Sequence, residues 1–123
     1  MIKSLFIVGA GSFFGGALRY YLSTLMRGYC SQGFPWGTLT VNLLGCFAFG
    51  ILFALFHRWN ATGSSWYLLL TTGLCGGFTT FSTFANESIQ YLQGGNVIGF
   101  ASYVLASILF GFALIALGYW IVG

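Results

Sequence analysis

Acidic side chains are almost missing from this 123-residue chain, in which Glu87 is the only carboxylate. Only 4% of the residues are charged, and these are Lys3, Arg19, Arg27, Arg58 and Glu87. A soluble domain carries charge at about 25 to 35% of its surface positions, so this composition excludes a water-soluble globular protein. Because the basic residues are isolated from one another and form no patch, the net charge of +3 does not indicate nucleic acid as a partner.

Catalytic and metal-binding patterns are also lacking. The cysteines are odd in number, and Cys30, Cys46 and Cys75 lack the spacing of metal ligands. We therefore expect neither a disulfide framework nor a zinc site. No nucleophile and base are paired in the sequence, so we do not expect an enzyme.

Apolar residues are abundant instead, at 58% of the chain, and 20% of the residues are aromatic. Long apolar runs predict four membrane spans, near residues 4–25, 37–57, 66–91 and 97–122. Since each bilayer crossing takes about 20 residues of helix, four crossings fill the chain. We predict an all-α, multi-pass membrane protein that forms one unit over residues 1–123, with the lipid bilayer as its surroundings.

The third span contains a segment that is unfavourable for a regular helix. Gly73, Gly76 and Gly77 are followed closely by Thr79 and Thr80, which predicts a helix break near the centre of the span. Hydrocarbon cannot satisfy the backbone groups that a break exposes, so the break is a candidate functional site. Gly11 and Gly15 in the first span more simply predict close helix packing.

The charges at the span ends give no preferred orientation in the membrane. Four spans place Lys3 and Arg58 at one face, and Arg27 and a snorkelling Arg19 at the other. Because basic residues near span ends set orientation, this two-against-two balance allows both orientations and an antiparallel pair of chains.

Two pairs of residues, one polar and one aromatic, could contact an ion. Thr38 and Asn42 share a face of the second span, and Asn42 either bonds another helix or faces a polar ligand. Phe81 and Phe84 are neighbours on the third span. These rings either pack as ordinary core residues or present their positive edges to a small anion.

Two segments carry a resemblance to a known family: GTLTVN at residues 37–42 and GGFTTFSTF at residues 76–84. On these motifs, and on its length and span number, the chain resembles the Fluc (CrcB) family of small fluoride channels. The resemblance implies a passive, fluoride-selective channel of the bacterial inner membrane that exports fluoride from the cytoplasm and lowers its toxicity. It also implies an antiparallel homodimer, with a structural sodium ion buried on the twofold axis.

The resemblance also implies roles for particular residues. Asn42 would line the fluoride path, Phe81 and Phe84 would offer ring edges to fluoride, and the backbone carbonyls of Gly76 and Thr79 would hold sodium. Further polar residues of the fluoride path would be Thr38, Ser82, Thr83, Tyr103 and Ser107.

The main alternative is a proton-coupled small multidrug resistance transporter, which has a similar length and span number. Such a transporter needs an acidic residue in its first helix, whereas Glu87 lies late in the third span. We interpret Glu87 as a solvated residue rather than a proton relay. Arg19 is either a partner for an interfacial group or a snorkelling anchor.

Overall fold

The computed structural model describes residues 1–29 and 34–123. Residues 30–33, and with them Cys30 and part of the predicted connection between the first two spans, lie outside the described residues. Within the described ranges the chain is helical and contains no β-strand. This confirms the predicted all-α class.

Four helices are long and apolar enough to cross a membrane, over Ile2–Arg27, Trp36–Arg58, Ser65–Gln93 and Val97–Val122. Each of the four apolar runs predicted from the sequence falls within one of these ranges. We name the first two helices α1 (Ile2–Tyr29) and α2 (Trp36–Arg58), and the last one α6 (Val97–Val122).

The third span consists of four short pieces instead of one regular helix. These are α3 (Ser65–Leu68), a π-helix (Leu69–Cys75), α4 (Gly76–Phe78) and α5 (Ser82–Gln93). The chain leaves the helix at Thr79, whose backbone is extended at φ −85° and ψ 160°, and it becomes helical again at Phe81. The predicted break is confirmed at residues 79–81.

Glycines let the helices approach one another closely. A Cβ added at Gly11 would lie 2.6 Å from the carbonyl oxygen of Leu69 and 2.8 Å from the Cα of Gly73. On the other side of the molecule, a Cβ at Gly50 of α2 would lie 3.0 Å from the Cα of Ile115 in α6. The packing role predicted for Gly11 is therefore confirmed, and α1 lies directly against the backbone of the third span.

A substitution at Gly15 tests this packing, because a Cβ there would overlap the carbonyl oxygen of Leu74 and lie 2.8 Å from the nitrogen of Phe78. We expect Gly15→Ala to destabilise the protein by about 1 to 3 kcal/mol, the usual cost of overpacking. The melting temperature of the purified protein in detergent measures the change. Gly9→Ala is the matched control on the same helix, since nothing lies within 4 Å of its added Cβ. Equal melting temperatures for the two variants would contradict the proposed contact.

Candidate ion site at the broken helix

The side chain of Asn42 holds the break from the side of α2. Its Nδ2 donates to the carbonyl oxygen of Thr80 at 3.0 Å, and its Oδ1 accepts from the Thr80 backbone nitrogen at 2.8 Å. One amide thus satisfies both backbone groups of a residue that has left the helix. Of the two interpretations of Asn42, the bond to another helix is present in the structure, and the second Nδ2 hydrogen remains for another acceptor.

The hydrogen bonds at the break also release two backbone carbonyl groups. In a continuous α-helix the Thr80 N–H would donate to the carbonyl of Gly76, and the Thr83 N–H to the carbonyl of Thr79. Here Thr80 donates to Asn42, and Thr83 donates to the Thr80 hydroxyl at 3.3 Å. The carbonyl oxygens of Gly76 and Thr79 therefore lose their helical donors, and such oxygens are suitable ligands for a hard cation.

Helix α1 holds the other side of the broken span. Arg19 Nε donates to the carbonyl oxygen of Gly77 at 3.2 Å, and Ser12 Oγ donates to the carbonyl oxygen of Gly73 at 3.3 Å. Both carbonyls belong to the irregular part of the third span. Arg19 thus binds the backbone of the third span next to the break, a role that neither sequence-based interpretation named.

The two phenylalanines after the break differ in their surroundings. The ring centroids of Phe81 and Phe84 are 5.8 Å apart at an interplanar angle of 53°. Phe81 is 78% exposed in the single chain, whereas Phe84 is half-buried and lies 5.1 Å from the ring of Tyr103 in α6. The exposed face of Phe81 is available to a neighbouring chain or to an ion.

Glu87 lies at the centre of a hydroxyl cluster that joins three spans. Its Oε2 accepts from Thr38 Oγ1 at 3.1 Å, and its Oε1 accepts from the Tyr103 hydroxyl at 2.8 Å. Thr38 and Tyr103 are both buried, and Glu87 is half-buried. The sequence-based interpretation of Glu87 as a solvated residue missed this cluster. The only indication in the sequence was the polar face of α2 that carries Thr38 and Asn42, and the sequence does not show which helix that face contacts.

Three further residues were predicted to line the fluoride path: Ser82, Thr83 and Ser107. Ser82 is exposed, and its hydroxyl lies 3.5 Å from that of Thr80. The Thr83 hydroxyl accepts from the Thr80 hydroxyl at 3.2 Å. The hydroxyl of Ser107 is buried and has no hydrogen-bond partner among the residues that the structure describes. The structure therefore joins Thr38, Phe84 and Tyr103, whereas Ser107 is not bonded to them.

Taken together, four spans, a break in the third and an amide that keeps this break open define a small multi-pass membrane protein with a candidate ion site. A family described as "CrcB-like protein, Camphor Resistance (CrcB)" matches residues 6–119. The chain belongs to this family, as its motifs predicted.

Curated relatives match nearly the whole chain. A protein of Phocaeicola vulgatus is 42% identical over 119 residues, which cover 97% of this chain and 98% of the relative. One of Leptospira interrogans is 39% identical over 120 residues, covering 98% and 94%. One of Ruminiclostridium cellulolyticum is 41% identical over 111 residues, covering 90% and 85%. Each of these relatives is named fluoride-specific ion channel FluC. The four spans and these relatives place the chain among multi-pass bacterial membrane proteins.

Removing the amide of Asn42 tests the clamp. Asn42→Leu keeps a similar volume but leaves the N–H and C=O of Thr80 without partners, at a cost of about 1 to 3 kcal/mol for each unsatisfied group. We expect a clear fall in the melting temperature of the detergent-solubilised protein. Ser12→Ala is the control, since it removes one 3.3 Å hydrogen bond and should cost about 0.5 to 1.5 kcal/mol. A wild-type melting temperature for Asn42→Leu would show that the break does not depend on the clamp.

Proposed function

We propose that this protein is a fluoride-selective passive channel of the bacterial membrane. The observation that carries the proposal is the helix break that Asn42 keeps open beside Phe81 and Phe84. The relatives named fluoride-specific ion channel support the choice of ion. They also confirm the expectation that the chain is not an enzyme, since the family to which it belongs consists of channels.

The chemistry around the break suits a small anion. Transfer of a bare anion into a membrane interior costs tens of kcal/mol, whereas one hydrogen bond to a charged group returns about 1.5 to 3 kcal/mol, so several donors must act together. The spare N–H of Asn42, nearby hydroxyls and the positive edges of Phe81 and Phe84 are such donors. Since these donors are neutral, they bind weakly enough for an ion to leave, which conduction requires.

Fluoride moves down its own gradient in this proposal. The sequence contains no nucleotide-binding motif, and its one carboxylate side chain, Glu87, accepts hydrogen bonds from two hydroxyl groups. When cytoplasmic fluoride is higher than external fluoride, net movement is outward, and the channel lowers fluoride toxicity.

We further propose that two copies assemble as an antiparallel homodimer. The break leaves Gly76, Phe81 and Ser82 exposed in the single chain, and irregular backbone at bilayer depth has to be covered by protein. With Arg19 bonded to Gly77, the two faces differ by one basic residue, Lys3 and Arg58 against Arg27, and so small a difference supports opposite orientations of the two copies.

A structural sodium ion fits the centre of this dimer. The carbonyl oxygens of Gly76 and Thr79, which lack their helical donors, would hold it, and a twofold axis doubles these two ligands to four. Sodium is a hard cation and prefers oxygen ligands of this kind. Bound there, the ion would supply positive charge that holds the two broken helices together.

Anion efflux from liposomes that contain the purified protein tests the channel. We expect fluoride to leave without a proton gradient or ATP, and chloride to be retained. Phe81→Ile and Phe84→Ile should each lower fluoride flux per folded dimer by at least about tenfold, which corresponds to about 1.4 kcal/mol at a barrier. Phe13→Ile, on an exposed position of α1, should leave the flux unchanged. Equal permeation of fluoride and chloride would refute the assignment, and wild-type flux in both phenylalanine variants would refute the aromatic path.

Sodium and the dimer are tested by their effect on stability. We expect the dimer to melt at a higher temperature in sodium chloride than in N-methylglucamine chloride of equal ionic strength. Saturation at about 100 times the dissociation constant would add about 2.7 kcal/mol. Potassium chloride is the control for a general effect of small cations, and it should stabilise less. The same melting temperature in all three salts would contradict a sodium site.

Tags at the C-terminus test the opposite orientations of the two copies. Tags that are accessible from only one side of the membrane would contradict them.

A further inference from the structure

A groove of about 380 Å³ lies between α1 and the beginning of the third span, away from the break. Its lining includes Lys3, Ile7, Ala10, Ser65, Trp66 and Leu69. Apart from Lys3 and Ser65 at one end, these side chains are apolar or aromatic. Lys3 and Ser65 line the groove with their carbon atoms, so its surface is almost wholly apolar, and the exposed side chain of Lys3 lies at its end.

The glycine contacts explain where the groove lies along the two helices. At Gly11 and Gly73 the two helices touch backbone to backbone, so no space remains between them there. Towards the ends at which α1 and the third span begin, the groove replaces this contact, and the small side chain of Ala10 does not fill it. Phe6 and Trp66 at its rim remain exposed.

The depth of the groove in the bilayer follows from the helix geometry. Fourteen residues separate Ser65 from Thr79, where the break begins. At the α-helical rise this is about 21 Å, which is an upper limit because Leu69–Cys75 is π-helical. Half of a hydrocarbon core is about 15 Å thick. With the break at the centre of the bilayer, Lys3 and Ser65 lie at the headgroup level, and Ile7, Ala10 and Leu69 lie in the hydrocarbon. Tryptophan is common at this boundary, and Trp66 lies there.

The charge of Lys3 restricts what can occupy the groove. Lys3 brings an ammonium group to a chain whose one carboxylate side chain, Glu87, is bonded to Thr38 and Tyr103. A second copy of the chain therefore has no free carboxylate side chain to pair with Lys3. Burial of an unpaired ammonium against an apolar partner is costly, whereas a lipid phosphate at the headgroup level supplies the missing negative charge.

We propose that this groove binds an anionic phospholipid. One acyl chain lies along Ile7, Ala10 and Leu69, and the headgroup phosphate pairs with Lys3. The shape of the groove selects a lipid chain, and Lys3 selects negative charge in the headgroup.

Native mass spectrometry of the full-length protein in detergent tests the proposal, by titration with phosphatidylglycerol and phosphatidylcholine of identical acyl chains. We expect the wild type to retain phosphatidylglycerol about fivefold more strongly, as one lysine near an anionic headgroup contributes about 1 kcal/mol. Lys3→Gln should abolish this preference, so that the two lipids are retained about equally, and Lys3→Arg should keep it. Arg58→Gln is the matched control, because Arg58 lies at the same membrane face but bonds the carbonyl of Val122.

Three results would overturn the proposal. They are equal retention of the two lipids by the wild type, loss of the preference in Arg58→Gln as large as in Lys3→Gln, and an unchanged preference in Lys3→Gln. Ala10→Phe, which fills the floor of the groove, separates the possible occupants. Loss of bound lipid from an intact dimer supports the lipid, whereas separation of the dimer with lipid still bound would show that a second copy occupies the groove.

Discussion

The two hydrogen bonds between the Asn42 amide and the backbone of Thr80 are the constraint on which the rest of the site depends. Hydrocarbon offers neither donors nor acceptors, so a residue that leaves a helix within a membrane needs both from protein. A carboxamide carries a donor and an acceptor side by side, as a peptide group does. Asn42 therefore replaces the helical neighbours of Thr80. Because it takes the Thr80 N–H, it also frees the Gly76 carbonyl. The Thr79 carbonyl is freed by the Thr80 hydroxyl, which accepts from the Thr83 N–H.

The opposite side of the break depends on the close approach of α1. Gly11 and Gly15 bring the two helix backbones into contact, and this contact places Ser12 and Arg19 within hydrogen-bonding distance of the carbonyls of Gly73 and Gly77. Larger residues at the two glycines would move both donors away. The irregular third span is thus held between an amide on α2 and a guanidinium on α1, and each of these groups satisfies backbone that a lipid could not.

Properties that depend on local sequence were predicted well. The spans follow from the length of apolar runs, because the bilayer sets one thickness for all of them, and the break follows from the local preferences of glycine and threonine around Gly76 and Thr79. The partners of Glu87 were not predictable, since periodicity shows which residues share a face but not which helix that face meets. The π-helix at Leu69–Cys75 was not predicted either. It packs against α1, and a glycine in this segment predicts close helix packing just as well as it predicts a change of helix type. The motifs at residues 37–42 and 76–84 indicated the family, but the hydrogen bond between Thr38 and Glu87 required coordinates.

A single chain in the membrane would expose polar groups of its third span to lipid, and its own residues do not cover them. Phe81 is 78% exposed, and Gly76 and Ser82 beside it are also exposed. An aromatic ring is stable against lipid, but a hydroxyl and an irregular backbone are not. These exposed groups lie on the third span, in which the carbonyls of Gly76 and Thr79 have lost their helical donors. Covering this surface with a second break of the same kind would bury the polar backbone and bring the free carbonyls of the two chains towards a shared centre. The membrane therefore favours the assembly that we propose, because the feature that makes the third span suitable for an ion also makes it unsuitable for lipid.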